Sequence, residues 1–179
     1  PPMDEMDRER LDAVLSGLIE RLEGDWLLLG GALAALWLEA RRTTEDVDLV
    51  GLNGTPEERL QVMALAEEVG LPIEAMNSAA DFFVRRIPGW REEIEIFRMG
   101  PRARLFRPTP TLFLLLKIGR LSEQDLADCR SLIRKAHQER LLVDRTRVMA
   151  ALDALPPSED AALLARRQTI RDALLEPPP

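Results

Sequence analysis

Leu27-Leu-Leu-Gly30-Gly31-Ala-Leu-Ala-Ala35, followed a few residues on by Arg42-Thr-Thr-Glu-Asp46-Val-Asp48-Leu49, carries the densest pattern in this sequence. Trp26 to Leu29 is a continuous apolar run beside glycines, the signature of a buried central strand. Gly30 and Gly31 allow a tight turn, and Ala32 to Ala40 then reads as a short alanine- and leucine-rich helix. Asp46 to Gly51 reads as a second strand, on which Asp46 and Asp48, two residues apart, project from one face. The N–H groups opening the helix after Gly30-Gly31 point at an anion, and two close carboxylates repel each other unless a cation lies between them. Donors for a phosphate beside ligands for a hard cation point to Mg²⁺-dependent phosphoryl or nucleotidyl chemistry.

Outward from this stretch, Met6, Leu11, Val14, Leu15, Leu18, Ile19 and Leu22 recur at helical spacing and predict an amphipathic helix over 4–23. Thr55-Pro-Glu-Glu58 combines an N-cap, a proline at the first helical position and a capping-box glutamate, so a helix runs from there to about Val69. Leu71 to Met76 reads as a short strand, and Asn77-Ser78 caps a short helix through Arg86. Glu92 to Arg98 and Ala103 to Arg107 alternate on either side of Met99-Gly-Pro-Arg102, which predicts a β-hairpin. Thr109-Pro110 opens an apolar helix through Leu121; Ser122 with Asp125 opens another, to about His137. From Val143 the pattern stays helical, broken at Pro156-Pro157 and ending in Pro177-Pro-Pro, which reads as disordered. The expected fold is α/β (α+β): a mixed sheet flanked by helices over residues 1–108, then a C-terminal helical region, 109–179, packed on that core.

At 179 residues and 46% hydrophobic, the chain has material for a real core. Its longest apolar run, Leu112 to Leu116, is too short to span a bilayer, and the acidic first residues do not resemble a targeting signal. The expectation is a soluble, cytoplasmic protein with no membrane partner. One cysteine, Cys129, excludes an internal disulfide, and with a single histidine, His137, a Cys/His zinc site has no ligands. A net charge of −7 argues against a general nucleic-acid coat. The charge is uneven, however: residues 85–107 hold seven arginines against three glutamates, while residues 1–24 hold seven acids against three arginines. The basic strip reads either as a solvated hairpin or as a surface for an acceptor or phosphate.

Leu29-Gly30-Gly31 and Asp46-Val47-Asp48-Leu49 match the fingerprint of the polymerase-β-like nucleotidyltransferase superfamily: an apolar residue, Gly, then Gly or Ser, and later Asp-apolar-Asp-apolar. The run from Gly30 to Ala34 and then Arg42 to Asp48 resembles the bacterial branch that includes AbiEii-type toxins and small nucleotidyltransferase-like proteins. Asn77, Lys117-x-x-Arg120 and Asp125-Leu-Ala-Asp128 look like that branch as well, so the resemblance covers roughly residues 26–135. It implies a nucleotidyltransferase-type sheet, Mg²⁺ held by Asp46 and Asp48, and an NTP whose triphosphate lies on the Gly30-Gly31 turn. It also implies a third carboxylate from a later strand, for which Glu95 is the candidate and Glu93 the alternative. Lys117 is implied to contact nucleotide phosphates with Arg120 beside it and Asp125 or Asp128 orienting it; the plainer reading is an ion pair between two helices. Arg42 and Thr44 are candidate phosphate and metal contacts. The activity implied is transfer of a nucleotide from an NTP to an RNA such as tRNA, a protein or a small molecule. The alternative is a non-catalytic nucleotide- or partner-binding module of the same fold, such as one component of a toxin–antitoxin pair with a cognate antitoxin.

Overall fold

A computed structural model describes residues 5–38, 42–71 and 79–177. The fold is α+β, a four-stranded mixed sheet with helices, and the chain divides into two units, 1–108 and 109–179. The expected strand over 71–76 and the expected cap at Asn77-Ser78 lie, except for Leu71, outside the described residues, as do Pro178 and Pro179.

In the first unit, α1 (Arg8–Ile19) buries Leu11, Leu15, Leu18 and Ile19. It starts later than its apolar spacing alone suggests, because Asp7 caps it by accepting from the Arg10 N–H at 2.9 Å, and Met6 pairs instead with Thr44 in an isolated antiparallel bridge. β1 (Gly24–Leu29) leads directly into α2 (Gly30–Trp37), and β2 (Asp48–Gly51) follows. α3 (Pro56–Glu68) begins with the full Thr55/Glu58 capping box, and α4 (Ala79–Arg85) and a single 3-10 turn at Trp90–Glu92 come before the hairpin. That hairpin is β3 (Ile94–Met99) and β4 (Ala103–Pro108).

The strand order is β2-β1-β4-β3, with β1 antiparallel to β2, parallel to β4, and β3 antiparallel to β4. The second hairpin strand thus takes the inner place beside β1, and the first is displaced to the edge. β1 is central and buried from Trp26 to Leu29, which is why its sequence is a continuous apolar run with no alternation. β2 starts two residues later than expected: the Thr44 hydroxyl bonds both the N–H (3.3 Å) and the carbonyl (3.1 Å) of Asp46, and this local turn competes with the strand ladder.

The charge asymmetry of the sequence is also resolved here. Arg98 pairs with Asp12 at 2.5 Å, Arg102 with Glu23, and Arg104 bidentately with Asp25 at 2.7 and 2.6 Å. Arg107 pairs with Glu95 at 3.0 Å and stacks over Trp37 at 4.0 Å. Most of the arginine-rich strip is therefore neutralised by acids, three of them from α1 and the residues around the start of β1.

The second unit is helical: α5 (Pro110–Ile118), α6 (Glu123–Glu139), α7 (Arg145–Asp153) and α8 (Ala161–Leu175). Its turns are tied by side chains. The Thr111 hydroxyl accepts from the Asp144 N–H at 2.9 Å, Arg166 donates to the Leu121 carbonyl at 2.7 Å, and Arg167 to the Pro156 carbonyl at 3.0 Å. Among the described residues no helix is long and apolar enough to cross a membrane.

Leu28, at 0% exposure in the central strand, and Leu60, 68% exposed on α3, give opposite expectations for the same truncation. Leu28→Ala is expected to cost about 3 kcal/mol through lost burial and a residual cavity, whereas Leu60→Ala stays within about 0.5 kcal/mol; urea unfolding of both variants measures the difference.

Candidate functional site

The site is built where β1 ends and β2 begins. The antiparallel register sets Asp48 opposite Leu29, so the first residue of β2 meets the last residue of β1 at the turn into α2. Gly30 occupies the left-handed region, φ 66°, and a Cβ there would overlap Asp48 Oδ2 and lie 2.9 Å from its Cγ. The Asp48 carboxylate thus lies directly on the Gly30 backbone, with Oδ1 buried. Only glycine satisfies both the backbone angle and this approach.

Gly31 is covered from another direction. A Cβ on it would sit 2.7 Å from Thr44 Oγ1 and 3.2 Å from an Arg42 terminal nitrogen. Arg42, which also donates to the Thr43 carbonyl at 2.9 Å, and Thr44 therefore meet the glycine turn in space, though the sequence separates them from it. The N-cap position of α2 is Leu29, which supplies no side-chain cap, so no side chain at that position competes for the N–H groups of the first turn. Asp46 is exposed, just before the strand, with its backbone fixed by Thr44. Gly30, Gly31, Arg42, Thr44 and Asp48 are thus one cluster, with Asp46 at its rim.

Glu95 stands apart from this cluster. β1 and β4 separate β3 from β2, a span of about 14 Å at ordinary strand spacing. The faces differ too: Leu27 and Phe106 are partners, as are Ile96 and Phe106, so Ile96 shares the face of Leu29 and Asp48 while Glu95 points to the other. Glu95 is instead the ion-pair partner of Arg107. Glu93 closes the 3-10 turn before β3. Among the described residues no three His, Cys, Asp or Glu side chains form a group able to hold a metal ion. Asp48 at the turn and Asp46 at its rim are the two carboxylates in this region that could hold a hard cation.

In the second unit, Lys117 lies within 3.2 Å of Asp125 and 3.1 Å of Asp128. Arg120 donates twice to Asp125, at 2.8 and 3.0 Å, and the Ser122 N–H donates to it at 3.0 Å as the reciprocal half of a capping box. Gln124 donates to Asp128 at 3.1 Å. Burial by itself raises the Asp125 pKa; the Arg120 hydrogen bonds, the Lys117 charge and Ser122 outweigh it and hold the carboxyl well below the usual carboxylate range. This network staples α5 to α6. The adjacent Cys129 is buried, and burial pushes its thiol well above the ordinary value against the pull of Lys117, so it is not a reactive nucleophile.

Two residues that no motif marks, Arg85 and Arg91, hold the far end of β2. Arg85 donates to the Gly51 carbonyl at 3.1 Å, and Arg91 to the Leu52 carbonyl at 2.8 Å, with both guanidinium groups against the Trp90 ring. They were legible only as part of a basic strip, because their partners are backbone carbonyls, which leave no trace in composition.

No family model matches this chain, and neither does any curated protein or solved structure.

Two outcomes test this geometry. Gly30→Ala is expected to destabilise by about 2 kcal/mol or more, from the left-handed backbone and the overlap with Asp48, and Asp48→Gly in the same chain is expected to recover only the overlap part. Asp125→Ala strips Lys117 and Arg120 of a buried partner, with Asp125 1% and Lys117 12% exposed, and is expected to cost about 3 kcal/mol in a denaturant melt. The sign with pH follows from the depressed pKa: the stabilisation is complete above the unfolded value of about 3.9 and fades as pH falls below it, and the variant lacks this acid dependence.

Proposed function

We propose that this chain is a Mg²⁺-dependent nucleotidyltransferase that binds an NTP at the Gly30-Gly31 turn and transfers the nucleotide to an RNA, protein or small-molecule acceptor. The observation that carries this reading is the approach of the Asp48 carboxylate onto Gly30, which brings ligands for a cation against the opening N–H groups of α2. The α2 amides, with the favourable end of the helix dipole, receive phosphate oxygens. Arg42 adds a fixed positive charge over Gly31, and Thr44 holds Asp46 at the entrance of β2. Asp46 and Asp48 are the residues that would hold Mg²⁺, which when bound neutralises phosphate charge and polarises the phosphoryl group under attack.

A second reading, a nucleotide- or partner-binding module without transferase activity, such as a toxin–antitoxin component, is favoured by one observation. Glu95, the carboxylate expected to complete the site, lies on the opposite edge strand and pairs with Arg107.

Incubation with Mg²⁺, each α-labelled NTP and total tRNA, or with the protein alone, separates the two. The transferase reading expects label transfer that falls by about 100-fold or more in Asp46→Ala and Asp48→Ala, the loss of several kcal/mol of charge stabilisation. Transfer undiminished in these variants removes both aspartates from the site. No transfer, with thermal stabilisation by NTP that needs Mg²⁺ and both aspartates, establishes the binding module.

A further inference from the structure

β3 reads Ile94-Glu-Ile-Phe-Arg-Met99, and its two charges do not alternate as they would in a regular strand. Glu95 is paired with Arg107 and Arg98 with Leu105, two positions that share one face of β4; Ile96 is paired with Phe106 and Met99 with Arg104, which share the other. The register shift between Ile96 and Arg98 inserts one residue, so side chains three apart fall on the same side. The strand is therefore palindromic in facing about a centre between Ile96 and Phe97: Glu95 and its mirror position Arg98 share one face, Ile94 and its mirror position Met99 the other.

β3 is the last strand in the sheet order, and among the described residues no strand pairs with its outer edge. End strands of this kind are ordinarily protected by outward charges or proline. Here Ile96 is 51% and Met99 68% exposed.

We propose that a second copy of this chain pairs with β3 antiparallel about that centre, joining two four-stranded sheets into one continuous sheet. The self-pairing sets Glu95 opposite Arg98 of the second copy, twice by symmetry, Ile96 opposite Phe97, and Ile94 opposite Met99. Each copy already holds Arg107 on Glu95 and Asp12 on Arg98, so contact completes an alternating row, Arg107–Glu95–Arg98–Asp12, across the interface with no like charges adjacent. A partner strand of other sequence has no reason to match this order of acid, two apolar residues and base, whereas the same strand reversed matches it in full. The interface is isologous and closes at two copies.

The test is the solution mass of the full chain by analytical ultracentrifugation up to about 100 μM, where an interface of ordinary affinity is saturated. The expected species has twice the chain mass of 20.2 kDa. Glu95→Arg alone and Arg98→Glu alone each set like charges opposite one another, and self-association of each is expected to weaken by about 100-fold. An equimolar mixture of the two variants restores opposite charges at both contacts and is expected to give the heterodimer. That recovery also shows that both variants are folded. A monomeric wild type, single variants that dimerise as well as wild type, or a mixture that stays monomeric overturns the proposal.

Discussion

One contact organises the first unit: the carboxylate of Asp48 resting on the backbone of Gly30. It requires a residue without Cβ in the left-handed region at the end of β1, and it requires β2 to run antiparallel with Asp48 beside Leu29. A slip of one residue in that pairing turns Asp48 to the other face and brings Leu49 onto the turn. The buried apolar strand β1, the short helix α2 and the entry of β2 are thereby held in one register. Arg85 and Arg91 tie the opposite end of β2 through the Gly51 and Leu52 carbonyls, so a strand of only four residues is fixed at both ends.

Charge in this protein is used twice over. The acidic start of the chain and the arginine-rich hairpin, which look like two separate surfaces in the sequence, meet as ion pairs: Asp12 with Arg98, Glu23 with Arg102, Asp25 with Arg104. These pairs are largely exposed, and each contributes little stability by itself. Their consequence is for recognition, because arginines paired to acids present a weaker field to a polyanion than the sequence count suggests. The network of Lys117, Arg120, Asp125 and Asp128 is of another kind: its carboxylates are buried, and Asp125 is held ionised against the cost of burial by Arg120, Lys117 and Ser122.

The elements themselves were largely legible. Apolar runs, the Thr55 and Ser122 capping boxes and the Met99-to-Arg102 turn marked α3, α6 and the β3–β4 hairpin within a residue or two, because caps and turns are local chemistry. Boundaries shifted where a side chain intervened, as at Asp7 for α1 and Thr44 for β2. The cluster of Gly30, Gly31 and Asp48 was legible because a strand, a turn and an antiparallel return leave few ways to arrange so short a stretch.

Local chemistry in the chain sufficed for the fold class, for the glycine turn and for the return of Asp48 onto it, since these depend on backbone angles, side-chain period and near neighbours; Asp46, expected on the same strand face as Asp48, instead precedes the strand in a turn held by Thr44. The tertiary structure alone decided that β4 and not β3 lies beside β1, which carries Glu95 to the far edge, and that one inserted residue in β3 brings Glu95 and Arg98 to a common face. Strand order and register are settled by contacts between distant segments, where an inserted residue inverts the facing of everything after it. The alternation of residue types is the same with or without that residue's being paired.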